Sequence, residues 1–214
     1  MSGKIHTYAG KDATVTWDGS RCIHAAECVR RVPQSFDPQA RPWIRCDNAS
    51  AHALADAVNA CPSGALSMRD KDGVSAMATP EANTCLVNPN GPHYVRGKLT
   101  LKGGEALVED TRMALCRCGA SQNKPFCDLS HRKVGFAHAG TLPAAKPAPA
   151  DADLAAPVTI VVTVDGPLQC RGPLTLCDDA GTTAFVDAVH LCRCGGSGNK
   201  PYCDGTHRKI GFTG

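Results

Sequence analysis

Two stretches of the chain repeat one set of residues that can bind metal ions. Each holds three cysteines and one histidine, spaced Cys-x-Cys, then eight residues, then Cys-x3-His, with few apolar side chains between them. These residues are Cys116, Cys118, Cys127 and His131 in the first stretch and Cys192, Cys194, Cys203 and His207 in the second. Thiolate and imidazole groups are ligands of zinc and of iron-sulfur clusters. Both stretches are therefore predicted to fold around metal.

The spacing of these ligands helps to distinguish the two kinds of metal centre. Zinc sites usually take two ligands from a Cys-x2-4-Cys knuckle, whereas here a tighter Cys-x-Cys precedes Cys-x3-His. On a helix, Cys203 and His207 project from one face. They can then bind one iron while Cys192 and Cys194 bind another. This pattern favours a two-iron cluster, and a zinc site remains the alternative.

Both stretches resemble the CDGSH iron-sulfur domain, the mitoNEET-type family, whose pattern is C-x-C-x2-S-x3-P-x-C-D-G-S-H. The matching residues of the second copy are Ser197, Pro201, Asp204 and Gly205, with Thr206 for the usual Ser. Those of the first copy are Ser121, Pro125, Asp128 and Ser130, with Leu129 in place of Gly. The resemblance implies one 2Fe-2S cluster per motif, with three cysteines and one histidine as ligands. It also implies that the cysteine pair binds the more buried iron.

A third group of cysteines lies nearer the N-terminus. Ferredoxins with one cuboidal cluster use Cys-x2-Cys-x2-Cys followed at a distance by Cys-Pro. Here Cys22, Cys28 and Cys61, which precedes a proline, fill three of those four roles, and Ala25 stands at the fourth. His24 is adjacent to that position, so it is either a fourth ligand or a surface or capping imidazole. The alternative for the three cysteines is an ordinary place in a core.

This N-terminal segment resembles the divergent single-cluster ferredoxin domain over about residues 4–68. Besides the cysteines, the match rests on Val32-Pro33, Phe36-Asp37, Arg41-Pro42-Trp43 and the run Pro62-Ser63-Gly64-Ala65-Leu66. The resemblance implies one 3Fe-4S or 4Fe-4S cluster bound by the three cysteines, with His24 as a candidate ligand.

Helical and strand-like patterns position these ligands. The alanine-rich segment from Ser50 to Ala60 has apolar residues at helical spacing and should bring Cys61 to its cluster. The repeat extends upstream of the cluster loops, because LVNPNGPHYVRGKLTL aligns with VVTVDGPLQCRGPLTL, which starts at Val161. Each repeat is thus predicted to contain strands, a cluster loop and a short helix.

These patterns predict an α+β fold made of small, metal-dominated domains. We expect a ferredoxin-like module at residues 1–70, CDGSH-type modules at 83–138 and 158–214, and a Pro/Ala-rich linker at 139–157. Because the repeats match through their strands, the two β-rich modules should pack as a pseudo-two-fold pair, as the resemblance implies.

Composition limits the partners and the compartment. The chain has 214 residues, a net charge of +3 and no apolar run of membrane-spanning length, so we expect neither nucleic acid nor membrane as a partner. Thirteen cysteines, nine of them at ligand-like spacing, indicate metal binding in a reducing compartment and predict a cytoplasmic protein. No function is assigned to the other four, which are Cys46, Cys85, Cys170 and Cys177.

The sequence contains no nucleophile-base pair, phosphate loop or nucleotide fingerprint, so we expect a protein that is not an enzyme. The first hypothesis is electron transfer through three clusters to redox partner proteins. The second is a cluster donor to apo iron-sulfur acceptors, or a redox and pH sensor. A zinc-stabilised scaffold is the third. Basic residues near the ligands either raise the cluster potential or form a solvated surface; they are Arg117, Lys124, Arg132, Lys133, Arg193, Lys200, Arg208 and Lys209.

Overall fold

The computed structural model describes residues 5–103 and 106–214, and the chain divides into two compact units, Met1–Ala78 and Thr79–Gly214. Within the described residues the chain is mostly β, with a few short helices. In that part of the chain, no helix has both the length and the apolar character needed to cross a membrane.

The N-terminal unit is a three-stranded antiparallel sheet with helices packed beside it. The strands β1 (Ile5–Ala9), β2 (Ala13–Asp18) and β3 (Leu66–Asp70) pair in that order. Helix α1 spans Glu27–Arg31 and helix α2 spans Ala51–Asn59.

The helix predicted before Cys61 is confirmed as α2. The Ser50 side chain caps it by accepting a hydrogen bond from the Ala53 N–H at 3.2 Å. The side chains of Leu54 and Val58 pack into the core with Phe36 and Ile44. The end of α2 therefore has a fixed place against the sheet.

The C-terminal unit contains the two repeats. The strands of the first repeat are β4 (Thr84–Val87), β5 (His93–Gly103) and β6 (Ala106–Leu115). Those of the second are β7 (Val158–Val162), β8 (Leu168–Cys177) and β9 (Thr183–Leu191). Within each repeat the two outer strands pair antiparallel with the middle one.

The repeats also exchange strand pairings with each other. The first half of β5 pairs with β4 and its second half pairs parallel with β7. In the same way, the first half of β8 pairs with β7 and its second half pairs parallel with β4. The strands β4, β5, β7 and β8 thus form a closed ring, whose buried residues include Leu99, Ile160 and Leu174. The two repeats share one hydrophobic core.

A glycine lies where each long strand changes partner. Gly97 in β5 and Gly172 in β8 have φ of 147° and 110°, at the register shift of each strand. A Cβ on Gly172 would lie 2.4 Å from the Pro157 carbonyl oxygen. The close approach of the neighbouring backbone requires glycine there.

A cluster loop follows β6 and β9, and each loop ends in a four-residue helix, α3 (Ser130–Lys133) or α4 (Thr206–Lys209). The Pro/Ala-rich segment between the repeats contacts the second repeat. Leu142 is buried and its N–H donates to Asp178 at 3.0 Å, while the Lys146 N–H donates to the Thr183 carbonyl at 3.0 Å.

Candidate metal centres

Four predicted ligands of the N-terminal unit line one cavity of about 530 Å³: Cys22, His24, Cys28 and Cys61. Ala25, at the position of the absent fourth cysteine, lines it as well. Tyr8, Trp17 and Trp43 form an aromatic part of the wall, with the two tryptophan rings 5.2 Å apart and nearly perpendicular. Three thiols around an apolar cavity suit a polynuclear cluster shielded from water.

The chain between Cys22 and Cys28 bends around the cavity by two unusual conformations. His24 has φ of 50° and Ala26 has φ of 61°, both in the left-handed region. Ala26 is also the N-cap of α1, which contains Cys28. The bends direct both cysteines and His24 to the same cavity.

Cys61 is held by the end of α2 and by an arginine. Its N–H donates to the Val58 carbonyl at 3.1 Å. The Arg21 guanidinium donates to the Ser63 carbonyl at 2.8 Å, and the Ser63 hydroxyl lies 3.6 Å from the Cys61 sulfur. The loop after α2 is therefore fixed on both sides of Pro62.

The cysteine thiols of this site affect one another. Burial raises the pKa of Cys28 to about 11, and the neighbouring Cys61 and Cys22 add to that rise. Three adjacent thiolates repel one another without a positive centre. A polynuclear cation removes that repulsion, because it holds the thiols in their charged form.

In the C-terminal unit, the predicted ligands come together in pairs. The sulfur atoms of Cys116 and Cys118 are 3.8 Å apart, and the sulfur of Cys127 lies 3.4 Å from Nδ1 of His131. The second repeat gives the same two pairs. The sulfur atoms of Cys192 and Cys194 are 3.7 Å apart, and that of Cys203 is 3.4 Å from Nδ1 of His207.

Backbone N–H groups point at several of these sulfur atoms. Ala120, Leu129 and Gly196 donate to the sulfur atoms of Cys118, Cys127 and Cys194 respectively, each at 3.4 Å. Such bonds stabilise a thiolate over a thiol. Against this, burial raises the pKa of Cys127 to about 11 and also raises that of Cys192. Burial thus favours the neutral thiol at both positions, and a bound metal would favour the thiolate.

An aspartate closes each cluster loop. Asp128 accepts from the N–H groups of Gln122 and Ser130 at 2.8 and 2.9 Å, and Asp204 accepts from Gly198 and Thr206 at 2.8 and 3.0 Å. These bonds keep the pKa of both carboxyl groups below its ordinary value, although burial of Asp128 acts in the opposite direction. Each aspartate thus accepts from the first N–H of the helix that follows it, α3 or α4.

The departure of Leu129 from the CDGSH pattern leaves the turn unchanged. Leu129 has φ of 69° and its counterpart Gly205 has φ of 85°. A left-handed conformation costs a residue with a Cβ about 1–2 kcal/mol. The first loop bears that cost and still presents Cys127 and His131 as a pair.

For Arg117 and Arg193, the interpretation as a solvated basic surface is wrong. Both side chains are only 1% exposed. Arg117 donates to the carbonyls of Asn88 and Gly91 at 2.7 and 2.9 Å and lies 5.1 Å from the Phe136 ring. The prediction failed because these carbonyls lie 29 and 26 residues away from the arginine.

Arg193 repeats this arrangement in the second repeat. It donates to the carbonyls of Thr163 and Gly166 at 2.7 and 3.0 Å, and its guanidinium lies 5.1 Å from the Phe212 ring. Burial lowers the pKa of Arg117 to about 10, and the thiol of Cys192, in the other repeat, opposes that shift. Burial likewise lowers the pKa of Arg193, and Cys116 opposes it. Each buried cation thus lies near a ligand of the other repeat.

The two cluster loops touch directly. Cys118 and Cys194 form an antiparallel bridge between their backbones. A Cβ on Gly119 would lie 2.5 Å from the Cys194 carbonyl oxygen, and a Cβ on Gly195 would lie 2.5 Å from that of Cys118. These two glycines permit the close contact between the sites.

The ligands of the C-terminal unit are grouped in pairs. In the part of the chain that the structure describes, no three His, Cys, Asp or Glu side chains surround one point as a single ion requires. Two pairs in each repeat would suit a two-iron cluster. Three cysteines and a histidine would hold each 2Fe-2S cluster, and Cys22, Cys28 and Cys61 would hold the cuboidal one.

The remaining cysteines lie away from these sites. Cys85 and Cys170 are buried in the shared core, and burial raises the pKa of Cys170 to about 12. The thiol of Cys46 donates to the Tyr8 carbonyl at 3.1 Å, and that of Cys177 to the Thr175 carbonyl at 3.6 Å. All four are packed or hydrogen-bonded.

Comparison with known proteins gives matches in both units. The chain matches the family model described as "Divergent 4Fe-4S mono-cluster" over residues 8–71. It matches the one described as "Iron-binding zinc finger CDGSH type" over residues 90–132 and 165–208. It is also similar to "Uncharacterized protein YjdI" of Escherichia coli K12 and of E. coli O157:H7. Each is 31% identical over 71 residues, which are 33% of this chain and 93% of the relative. No solved structure matches the chain significantly.

Proposed function

Because the chain belongs to the divergent 4Fe-4S mono-cluster family (residues 8–71) and to the CDGSH-type iron-binding family (residues 90–132 and 165–208), we propose that it transfers electrons through three clusters. It is an iron-sulfur-binding protein. The proposed cofactors are two 2Fe-2S clusters and one 3Fe-4S or 4Fe-4S cluster. The proposed ligands are the nine cysteines and two histidines of the three sites, with His24 as a candidate twelfth.

The contact between the two cluster loops is the observation that supports electron transfer most directly. The bridge between Cys118 and Cys194 makes the two ligand sets of the C-terminal unit neighbours. An electron that enters at one set then has a short route to the other. We also propose that the two repeats pack about a pseudo-two-fold axis, which the reciprocal strand pairings of β4 with β8 and β5 with β7 support.

When bound, each two-iron cluster supplies one-electron redox chemistry. The chain sets the conditions for that chemistry. Cys192 and Cys116 each lie close enough to a buried arginine of the opposite repeat to affect its pKa, so fixed positive charge offsets the charge of the thiolates. His131 and His207 replace one thiolate in each ligand set by a neutral group. Both effects make the uptake of an electron more favourable.

A second function, cluster donation or redox sensing, is supported by the shortness of the helices that carry the histidines. His131 and His207 are buried, but they belong to helices of only four residues. Release of a histidine then disrupts little other structure. We propose redox partner proteins for the first function and apo iron-sulfur acceptors for the second, and neither nucleic acid nor membrane for either.

We further propose that the protein works in a reducing compartment, the cytoplasm, and that it catalyses no substrate reaction. All thirteen cysteines are free of disulfides. Thiols that must bind iron require such conditions.

The two functions are separated by a reductive titration of the purified protein, followed by visible and EPR spectroscopy with an iron and sulfide count. Electron transfer predicts uptake of about three electrons per chain, recovered on reoxidation with no loss of iron. Cluster donation predicts iron and sulfide transfer to an apo-ferredoxin faster than any reversible reduction. A colourless protein with stoichiometric zinc would contradict both.

A further inference from the structure

Directly after each ligand histidine, both repeats present the same kind of exposed tripeptide. It is Arg132-Lys133-Val134 in the first repeat and Arg208-Lys209-Ile210 in the second. All six residues are exposed, and the aliphatic ones remain 58% and 53% exposed. We call these two surfaces the cluster-edge patches.

The internal structure accounts for the other residues that the two loops share. Arg117 and Arg193 hold backbone carbonyls, the two aspartates close the loops, and Phe136 and Phe212 lie against the arginines. In the described part of the chain, the cations of the patches hold no backbone carbonyl and close no loop. Among the described residues, none of their four cationic side chains makes a hydrogen bond or an ion pair. Both repeats thus keep the same pair of exposed cations beside the ligand histidine, with no internal hydrogen bond from the part of the chain that the structure describes to hold them.

The charge of the patches defines the surface that they fit. Each patch carries two cations, and the nearest carboxylate in sequence, Asp128 or Asp204, is occupied by two backbone N–H groups. An exposed Val134 or Ile210 beside these cations supplies an apolar contact. Two cations beside one aliphatic side chain are complementary to a partner surface that has an apolar centre and an acidic rim.

We propose that the cluster-edge patches dock an acidic electron-carrier protein, which delivers its electrons beside His131 and His207. This inference rests on the proposed electron-transfer function. In the step itself, one electron passes from the reduced carrier to the oxidised chain. The carrier is oxidised, the chain is reduced by one electron, and no bond is made or broken. The patch cations attract the carrier and orient its redox centre toward the ligand histidine.

The test uses the full, cluster-loaded chain and a plant-type ferredoxin of acidic pI as the probe. Stopped-flow absorbance measures how fast reduced ferredoxin reduces the chain at low and high ionic strength. The double variants R132E/K133E and R208E/K209E test the patches one at a time. The matched control is K98E/K102E, which changes the net charge equally on the exposed side chains of β5.

We expect each patch variant to lower the rate at low ionic strength, and the four-site combination to lower it at least about tenfold. The parent rate should fall with added salt, and the combined variant should lose that dependence. Calorimetric binding of oxidised ferredoxin should weaken in the same order. An equal loss of rate in K98E/K102E would overturn the inference, because net charge alone would then explain it.

Two further outcomes overturn it separately from the proposed function. Photoreduction with deazariboflavin, a reductant without a docking surface, reports whether the clusters accept electrons at all. If they do, and ferredoxin still reduces the four-site variant at the parent rate, the patches are not the docking surface. If the patches instead bind phosphatidylserine vesicles and ferredoxin binding is absent, the partner is a membrane and not a protein. Failure of photoreduction in the parent contradicts the electron-transfer function itself.

Discussion

Individual ligands are held in place mainly by short-range hydrogen bonds. The turn that presents Cys127 and His131 depends on Asp128, on a left-handed residue before the helix and on an N–H to the cysteine sulfur. All of these lie within a few residues of the ligands. The N-terminal site differs, because Cys28 lies in α1 and Cys61 follows the end of α2, and the core brings these two helices together.

We expect His24 to decide the nuclearity of the N-terminal cluster. It lines the same cavity as the three cysteines, although its side chain is exposed. If it binds iron, we expect a 4Fe-4S cluster in the parent and conversion toward 3Fe-4S in His24→Ala, visible in the EPR spectrum of the oxidised protein. His52→Ala, at an exposed position on α2, is the control. Identical spectra of parent and His24→Ala would remove His24 from the ligand set.

His138 should make the first repeat more sensitive to acid than the second. Its Nδ1 accepts from the Gly140 N–H at 2.9 Å and contacts the Arg117 guanidinium at 3.1 Å, so its proton is on Nε2. Burial lowers its pKa below the ordinary 6.5, and Arg117 and Lys200 add to the shift. The equivalent residue of the second repeat is Gly214, which has no imidazole.

The sign of this effect follows from the lowered pKa. As the pH falls, the unfolded chain takes up the proton on His138 before the folded chain does. The contribution of neutral His138 to the free energy of unfolding is therefore complete above pH 6.5. It is lost as the pH falls from 6.5 through the lower pKa of the folded state. We expect the unfolding midpoint of the parent to exceed that of His138→Ala at pH 8, with a smaller difference at pH 5.5. His190→Ala, at an exposed position on β9, should follow the parent. A difference independent of pH would contradict the prediction.

At the scale of elements, the exchange of strand pairings is the main feature of the C-terminal unit. Along one edge, the long strands β5 and β8 each pair with two partners, one from each repeat. This requires a local break in the strand, which Gly97 and Gly172 provide. The cluster loops follow the neighbours of these strands, so the exchange also brings the loops together.

Gly172→Ala should weaken this exchange. The new Cβ would meet the Pro157 carbonyl oxygen at 2.4 Å, just before β7. We expect a loss of about 2–4 kcal/mol of unfolding free energy, from backbone strain and from displacement of β7. The control, Gly181→Ala, has a similarly left-handed φ of 85° and no atom within 4 Å of the new Cβ. It should lose only about 1 kcal/mol in chemical denaturation, and equal losses would exclude the contact as the cause.

At the scale of the whole molecule, the chain consists of one unit per cluster type. Residues 1–78 hold the proposed cuboidal cluster, and residues 79–214 hold both proposed two-iron clusters. Neither repeat of the second unit is complete alone, because β4 and β7 each pair with a strand of the other repeat.

Truncation after Gly140 should therefore remove both two-iron clusters, although only one motif is deleted. In the remaining chain, β4 lacks β8 and β5 lacks β7. We expect about seven or eight irons in the full chain and about three or four in residues 1–140, by iron and sulfide analysis. Residues 79–214 expressed alone should keep about four. A stable 1–140 fragment that holds a complete first two-iron site would contradict this.

The cluster loops and the families could be predicted from the order of residues alone. The ligands pair as the spacing indicates, but not on a helix face: Cys127 and Cys203 lie three residues before α3 and α4, and a tight turn brings each beside its histidine. The helix before Cys61 was also predictable, since its apolar spacing and its Ser50 cap are local signals.

Which residues of the two repeats meet could not be predicted, because these contacts depend on the folded chain. Arg117 looks like any surface cation in the sequence, yet carbonyls far away along the chain accept its hydrogen bonds. The bridge between Cys118 and Cys194 joins positions 76 residues apart. Hydrophobic periodicity marks strands but does not choose their partners, because each strand can pair with any complementary edge. Here the shared core, with Leu99 and Leu174 in one ring, makes that choice.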